Sequence, residues 1–151
     1  MPRLSRGPSR HRGAALVELA MILPLTFVLS FMVIDFGRAI YEYNLLTKTV
    51  RDAARYLSVQ TPGTRIAEAR NLIVYGTPTP GTPLPAPLAR GLSAALVPDP
   101  VWATAGADPI INTVTVRVSG YTFETMFLGA FGVPFANVTF SDITATMRSA
   151  L

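Results

Sequence analysis

The sequence predicts an α+β fold: a long N-terminal helix, part membrane span and part stalk, packed on a small antiparallel sheet. Three observations predict it. Residues 14–34 form an apolar run with a single ionisable group, Glu18. Residues 36–57 then repeat side chains at helical spacing, on one face. Beyond residue 110 the apolar period drops to two, the signature of half-buried strands.

The chain begins with a basic leader, residues 1–13, which contains Arg3, Arg6, Arg10, Arg12 and His11. The whole chain has 13 Lys+Arg and 9 Asp+Glu, a formal net charge of +4. The leader holds four of the basic residues and no carboxylate, so removing it leaves 13 − 4 = 9 basic against 9 acidic groups. The positive excess therefore belongs to the leader, and the balanced remainder argues against nucleic acid as a partner. A glycine, Gly13, closes the basic stretch, and Ala14 opens the apolar one. Gly13 and Ala14 read as a processing site, and Glu18 as an assembly signal just beyond it.

Residues 14–34 number 21. As a helix they rise about 31 Å, which matches a hydrocarbon core of about 30 Å. A secretory signal has a shorter apolar stretch of about 7–15 residues, followed by a small-residue cleavage site. Asp35-Phe36-Gly37-Arg38 is no such site. The run is expected to be a retained anchor in the lipid bilayer. Its upstream arginines favour a cytoplasmic N-terminus, with the C-terminal domain outside. Pro24 lies within the span and is read as a shape feature, since neighbouring groups in a membrane helix can re-satisfy the freed carbonyl.

Glu18 admits two readings. It lies about 6 Å along the helix from Ala14, near enough to the interface to reach headgroups at little cost. Alternatively it pairs with a positive group on a neighbouring subunit. A cut after Gly13 would supply such a group as the α-amine of Ala14. An intramembrane carboxylate is by default a functional candidate with a partner to be named.

The helix is expected to continue through residues 35–60. Phe36, Ile40, Tyr43, Thr47, Val50, Ala54 and Leu57 follow a 4-3-4-3-4-3 spacing on one face. That stripe can pack on the chain's own sheet, on neighbouring helices, or on each at different heights. Thr61-Pro62-Gly63 ends the helix. Residues 61–151 then form a small α+β domain. It opens with a second helix over residues 64–75, capped by Gly76. Residues 77–87 hold five prolines, which exclude a helix or central strand. The proline-rich region, 77–91, reads as a surface loop, with a ligand for a proline-recognising module as the alternative.

Val114, Val116 and Val118 alternate with Thr115 and Arg117 in a strand that can extend through Tyr121 and Phe123. Val138 and Phe140 form another alternation. Ile143, Ala145 and Met147 continue in opposite phase, which suggests a bulge near Ser141-Asp142. Residues 128–134 connect these strands, and a shorter strand is expected near Trp102. A sheet of about three strands is too small to stand alone and needs the helix.

No catalytic constellation emerges. The chain has no cysteine, and its single histidine, His11, lies in the leader. Asp99, Asp108, Glu124 and Asp142 are scattered without metal-ligand spacing. No phosphate-cradling glycine loop is present. The expectation is a non-enzymatic protein without a cofactor.

The residues also resemble a known family. Arg12-Gly13-Ala14-Ala15-Leu16-Val17-Glu18-Leu19-Ala20 with Leu23-Pro24-Leu25 is similar to the start of TadE-like proteins, minor pilins or pseudopilins of bacterial tight-adherence (Flp-type) pilus systems. Asp35-Phe36-Gly37-Arg38-Ala39, Arg51-Asp52-Ala53-Ala54-Arg55-Tyr56 and Ile143-Thr144-Ala145-Thr146-Met147-Arg148 resemble later blocks. The likeness is strongest over residues 12–57 and weak through the proline-rich middle. One departure is Leu19, where the family usually carries an aromatic residue. The resemblance implies a type IV pilin-like fold and cleavage between Gly13 and Ala14 by a prepilin peptidase. It also implies that Glu18 neutralises a neighbour's N-terminal amine. The implied partners are that peptidase, other pilins or pseudopilins of the same system, and an inner-membrane assembly platform. The implied location is the bacterial inner membrane, single-pass, or the pilus itself.

Overall fold

The apolar run and the stalk form one unbroken helix, α1 (His11–Ser58), in the computed structural model, which describes residues 11–126 and 137–150. At 48 residues it rises about 72 Å. The helix continues without interruption through Pro24. The leader up to Arg10 and the expected connection at residues 128–134 lie outside the described residues.

The helix has two regimes. Its lower half, residues 13–34, touches almost nothing else in the chain. Its upper half is the spine of the domain: Leu46, Val50, Ala53, Ala54 and Leu57 are fully buried. Burying one such leucine contributes about 1.5–3 kcal/mol, and the paired alanines let neighbouring backbone come close.

One neighbour is α2 (Ile66–Tyr75), which presents Ala69, Ile73 and Val74 to the core. Gly76 ends it as expected, in the left-handed conformation at φ 77°, with its N–H donating to the Leu72 carbonyl at 3.0 Å. The proline-rich residues 77–91 follow without helix or strand. They are tied back where the Leu88 N–H donates to the Val74 carbonyl at 2.8 Å and the Asn71 amide donates to the Pro78 carbonyl at 3.3 Å.

The other neighbour is the sheet. Strands β1 (Val101–Ala105), β2 (Ile111–Val118) and β5 (Ile143–Arg148) form an antiparallel sheet in the order β1-β2-β5. Register puts Val114 opposite Met147, Val116 opposite Ala145 and Val118 opposite Ile143. The valines on β2 are buried against α1, as their period-two spacing requires. A separate two-stranded ribbon pairs β3 (Thr122–Phe123) with β4 (Val138–Thr139).

The β2 alternation therefore does not run on as one strand through Phe123. Gly120 adopts φ 69°, a left-handed turn that glycine adopts without steric cost, and it redirects the chain into the ribbon. The phase change at Ser141-Asp142 is likewise a break between β4 and β5 rather than a bulge within one strand.

The C-terminal end ties the top of α1. The Ala150 N–H donates to the Ser58 carbonyl at 2.8 Å, and the Ser149 N–H donates to the Asn112 carbonyl at 2.7 Å. The first of these bonds satisfies a helix-terminal carbonyl that has no partner within the helix.

Candidate functional site

The sequence-derived site residues lie at the bottom of α1. Gly13, Ala14 and Glu18 are all helical and all exposed. A Cβ built on Gly13 would meet nothing within 4 Å. The segment α1 presents here is open to any enzyme or neighbour that approaches it. Among the described residues Glu18 makes no ion pair.

The apolar side chains above Glu18 share this exposure. Leu16, Met21, Leu25, Phe27 and Val33 stand open, with Met21 at 76%. α1 is long and apolar enough to cross a membrane: its most apolar window has a mean hydropathy of 2.3, and none of that window is buried inside the molecule. A soluble domain does not leave such a surface uncovered. The helix is built to be covered by lipid or by other helices.

At the upper end of the span a polar collar joins the helix to the domain. The buried Asp35 accepts hydrogen bonds from the Arg38 guanidinium at 2.9 Å, from the Thr125 hydroxyl, and from the Met126 N–H at 3.4 Å. Arg38 also faces Glu42 at 3.6 Å and lies over the Phe123 ring, 5.2 Å from its centroid. The Tyr121 hydroxyl lies 2.7 Å from the Glu42 carboxylate and 3.0 Å from the Arg90 carbonyl, with Glu42 the charged acceptor. Burial, then the hydrogen bond to Glu42, pushes the Tyr121 phenol well above its ordinary pKa. Outside the collar, Arg90 and Glu124 pair at 2.9 Å on a more exposed surface.

This collar explains where the helical stripe departs from expectation. Val50, Ala54 and Leu57 bury as expected, but Phe36, Ile40 and Tyr43 are exposed, Phe36 at 68%. The inward face of the lower stalk is carried instead by Asp35, Ala39 and Glu42. Their spacing is as helical as the stripe's, but two of them are charged, so an apolar count selects the adjoining face, about 100° round the helix. Tyr43 approaches Phe140 edge-on, at 5.5 Å between ring centroids.

Among the described residues, no three His, Asp or Glu side chains gather to hold a metal ion. A shallow groove of about 630 Å³ runs beside β1, lined by Pro62, Trp102, Thr104, Asn112 and Thr113. It lies at the top of the domain, far from Gly13 and Glu18.

No curated protein and no solved structure matches the chain. A family comparison does match, and it coincides with α1: it starts at the glycine before the apolar run and stops within the stalk. Residues 13–55, which cover the apolar part of α1 and most of its stalk, are similar to the family described as TadE-like protein.

Proposed function

We propose that this chain is a minor pilin or pseudopilin, a structural or assembly subunit of a tight-adherence pilus or a related secretion filament. One observation carries the reading. The exposed apolar helix presents Glu18 near its lower end, directly after the Gly13-Ala14 step, and the TadE-like match begins at that same glycine. An apolar helix largely uncovered by the rest of the chain suits a subunit that passes from lipid to a bundle of like helices.

The mechanism has three stages. The helix inserts with its basic leader in the cytoplasm. A prepilin peptidase cuts between Gly13 and Ala14, removing the positive charge and creating an α-amine. The helices then pack laterally, and Glu18 of one subunit meets the amine of another. A carboxylate near the interface costs little until packing removes its water, and pairing with the amine offsets that cost. The role is structural rather than catalytic.

The test is Glu18→Ala. Membrane insertion should survive, because the substitution makes the span more apolar, while co-isolation with other pilins of the system should fall. Unchanged co-isolation would reduce Glu18 to a tolerated interfacial charge.

A second reading is a signal-anchored envelope domain that binds a partner without polymerising. The groove beside β1 favours it, since Trp102 and Pro62 supply an open, largely apolar concavity at the end farthest from the anchor. That reading requires neither cleavage nor Glu18.

A further inference from the structure

The β3–β4 ribbon reaches further down α1 than a domain standing clear of a bilayer would. A concavity of about 150 Å³ lies between the two, lined by Met32, Asp35, Phe36 and Ala39 of the helix, by Phe123 and Val138 of the ribbon, and by Thr125 just past β3. Met32 belongs to the apolar run itself. Thr125 and the Met126 N–H both bond to Asp35, the first residue past that run.

Distances along the helix fix where this places the ribbon. If residues 14–34 fill the hydrocarbon core, Met32 lies about 3 Å below its outer boundary and Ala39 about 7 Å above it. The headgroup layer on each side is about 5–7 Å thick. The level from Met32 to Ala39 therefore runs from the outer edge of the hydrocarbon core through the headgroup layer, and the ribbon occupies that level beside the helix.

The chemistry of its surface agrees. Met126 and Val138 are exposed at 62% and 51%, and Phe36 and Ile40 are exposed on the adjoining helix. The charged groups on the helix at this level pair with one another, Asp35 with Arg38 and Arg38 with Glu42, while beside Phe123 the more exposed Glu124 pairs with Arg90. The patch is continuous with the apolar surface of the span.

We propose that the β3–β4 ribbon is a membrane rest. It sits in the outer headgroup layer with Met126 and Val138 against lipid. The collar locks it to α1, so it sets the depth of the helix and the lean of the outer domain before assembly. The inference rests on the reading of α1 as a bilayer span and goes beyond it by naming a second lipid contact.

The test uses the full chain, reconstituted in phosphatidylcholine vesicles, with Trp102→Phe removing the single native tryptophan. Single tryptophans are then introduced by Val138→Trp, Met126→Trp, Leu25→Trp and Ile110→Trp. Lipids brominated near the headgroup or near the chain end serve as quenchers.

The proposal expects Val138→Trp and Met126→Trp to be quenched most by the shallow bromines. Leu25→Trp should be quenched most by the deep ones, and Ile110→Trp, at the top of the sheet, by neither. Quenching at Leu25→Trp with none at either ribbon position overturns the membrane rest and leaves the anchor intact. No quenching at Leu25→Trp overturns the anchor reading and the rest with it. Ribbon emission that ignores bromine but changes with the protein-to-lipid ratio assigns the face to a second copy, which also overturns the proposal.

Discussion

The Tyr121 hydroxyl donates to the Glu42 carboxylate at 2.7 Å, joining positions 79 residues apart. This bond and the contacts of Asp35 hold the ribbon side of the outer domain to the lower stalk. Removing the hydroxyl with Tyr121→Phe keeps the ring contact with Phe140, whose centroid is 5.5 Å away. Loss of a hydrogen bond to a charged acceptor should cost about 1.5–3 kcal/mol. Thermal unfolding of the detergent-solubilised chain, followed by circular dichroism, measures it.

The same pair predicts a pH dependence. The folded phenol titrates above its ordinary value of 10.0 because burial, then the bond to Glu42, disfavours its ionised form. The unfolded chain therefore loses this proton first, and ∂ΔG/∂pH is negative once pH passes the unfolded value. The contribution is fully present below about pH 10 and is lost as pH rises toward the folded value. The stability difference between wild type and Tyr121→Phe should be constant at neutral pH and shrink in alkali.

Asp35 anchors the lower part of the collar. Asp35→Ala removes the 2.9 Å partner of Arg38 and the acceptor that Asp35 gives the Thr125 hydroxyl and the Met126 N–H. Breaking these contacts should open the ribbon locally by about 1–3 kcal/mol, while the upper core stays closed. Hydrogen exchange should rise at Thr122 and Phe123 and remain slow at Val114 and Val116.

Two positions on one helix should separate folding from assembly. Leu57 is fully buried, so Leu57→Ala should destabilise the domain by about 2–5 kcal/mol. Phe36 is 68% exposed, so Phe36→Ala should change the stability of the isolated chain by less than about 0.5 kcal/mol. If Phe36 serves packing or lipid contact, its substitution should instead lower recovery in the membrane-assembled fraction.

The sequence makes the long helix legible because a membrane-length apolar run and a helical repeat lie end to end. It makes β2 legible because Val114, Val116 and Val118 alternate cleanly with polar residues. Gly13, Ala14 and Glu18 stand out because each breaks a local pattern of charge or hydropathy. The collar could not be read the same way. Asp35, Ala39 and Glu42 form an inward face whose partners, Tyr121 and Thr125, are supplied by tertiary folding rather than by any local pattern. An apolar count at that height selects Phe36, Ile40 and Tyr43, the face left uncovered. The signal that could have found the collar is the pair Asp35 and Glu42, each at helical spacing from Arg38. The ribbon was hidden for a different reason: Gly120 lies within a run that otherwise alternates well enough to pass for one strand.

In the proposed function, a cut after Gly13 turns a membrane-anchored precursor into a subunit. N-terminal mass spectrometry of the membrane-extracted protein, from cells that contain the prepilin peptidase, tests it most directly. The expected result is a mature chain that begins at Ala14, with Glu18 retained. An intact terminus at Met1 or Pro2 would contradict it.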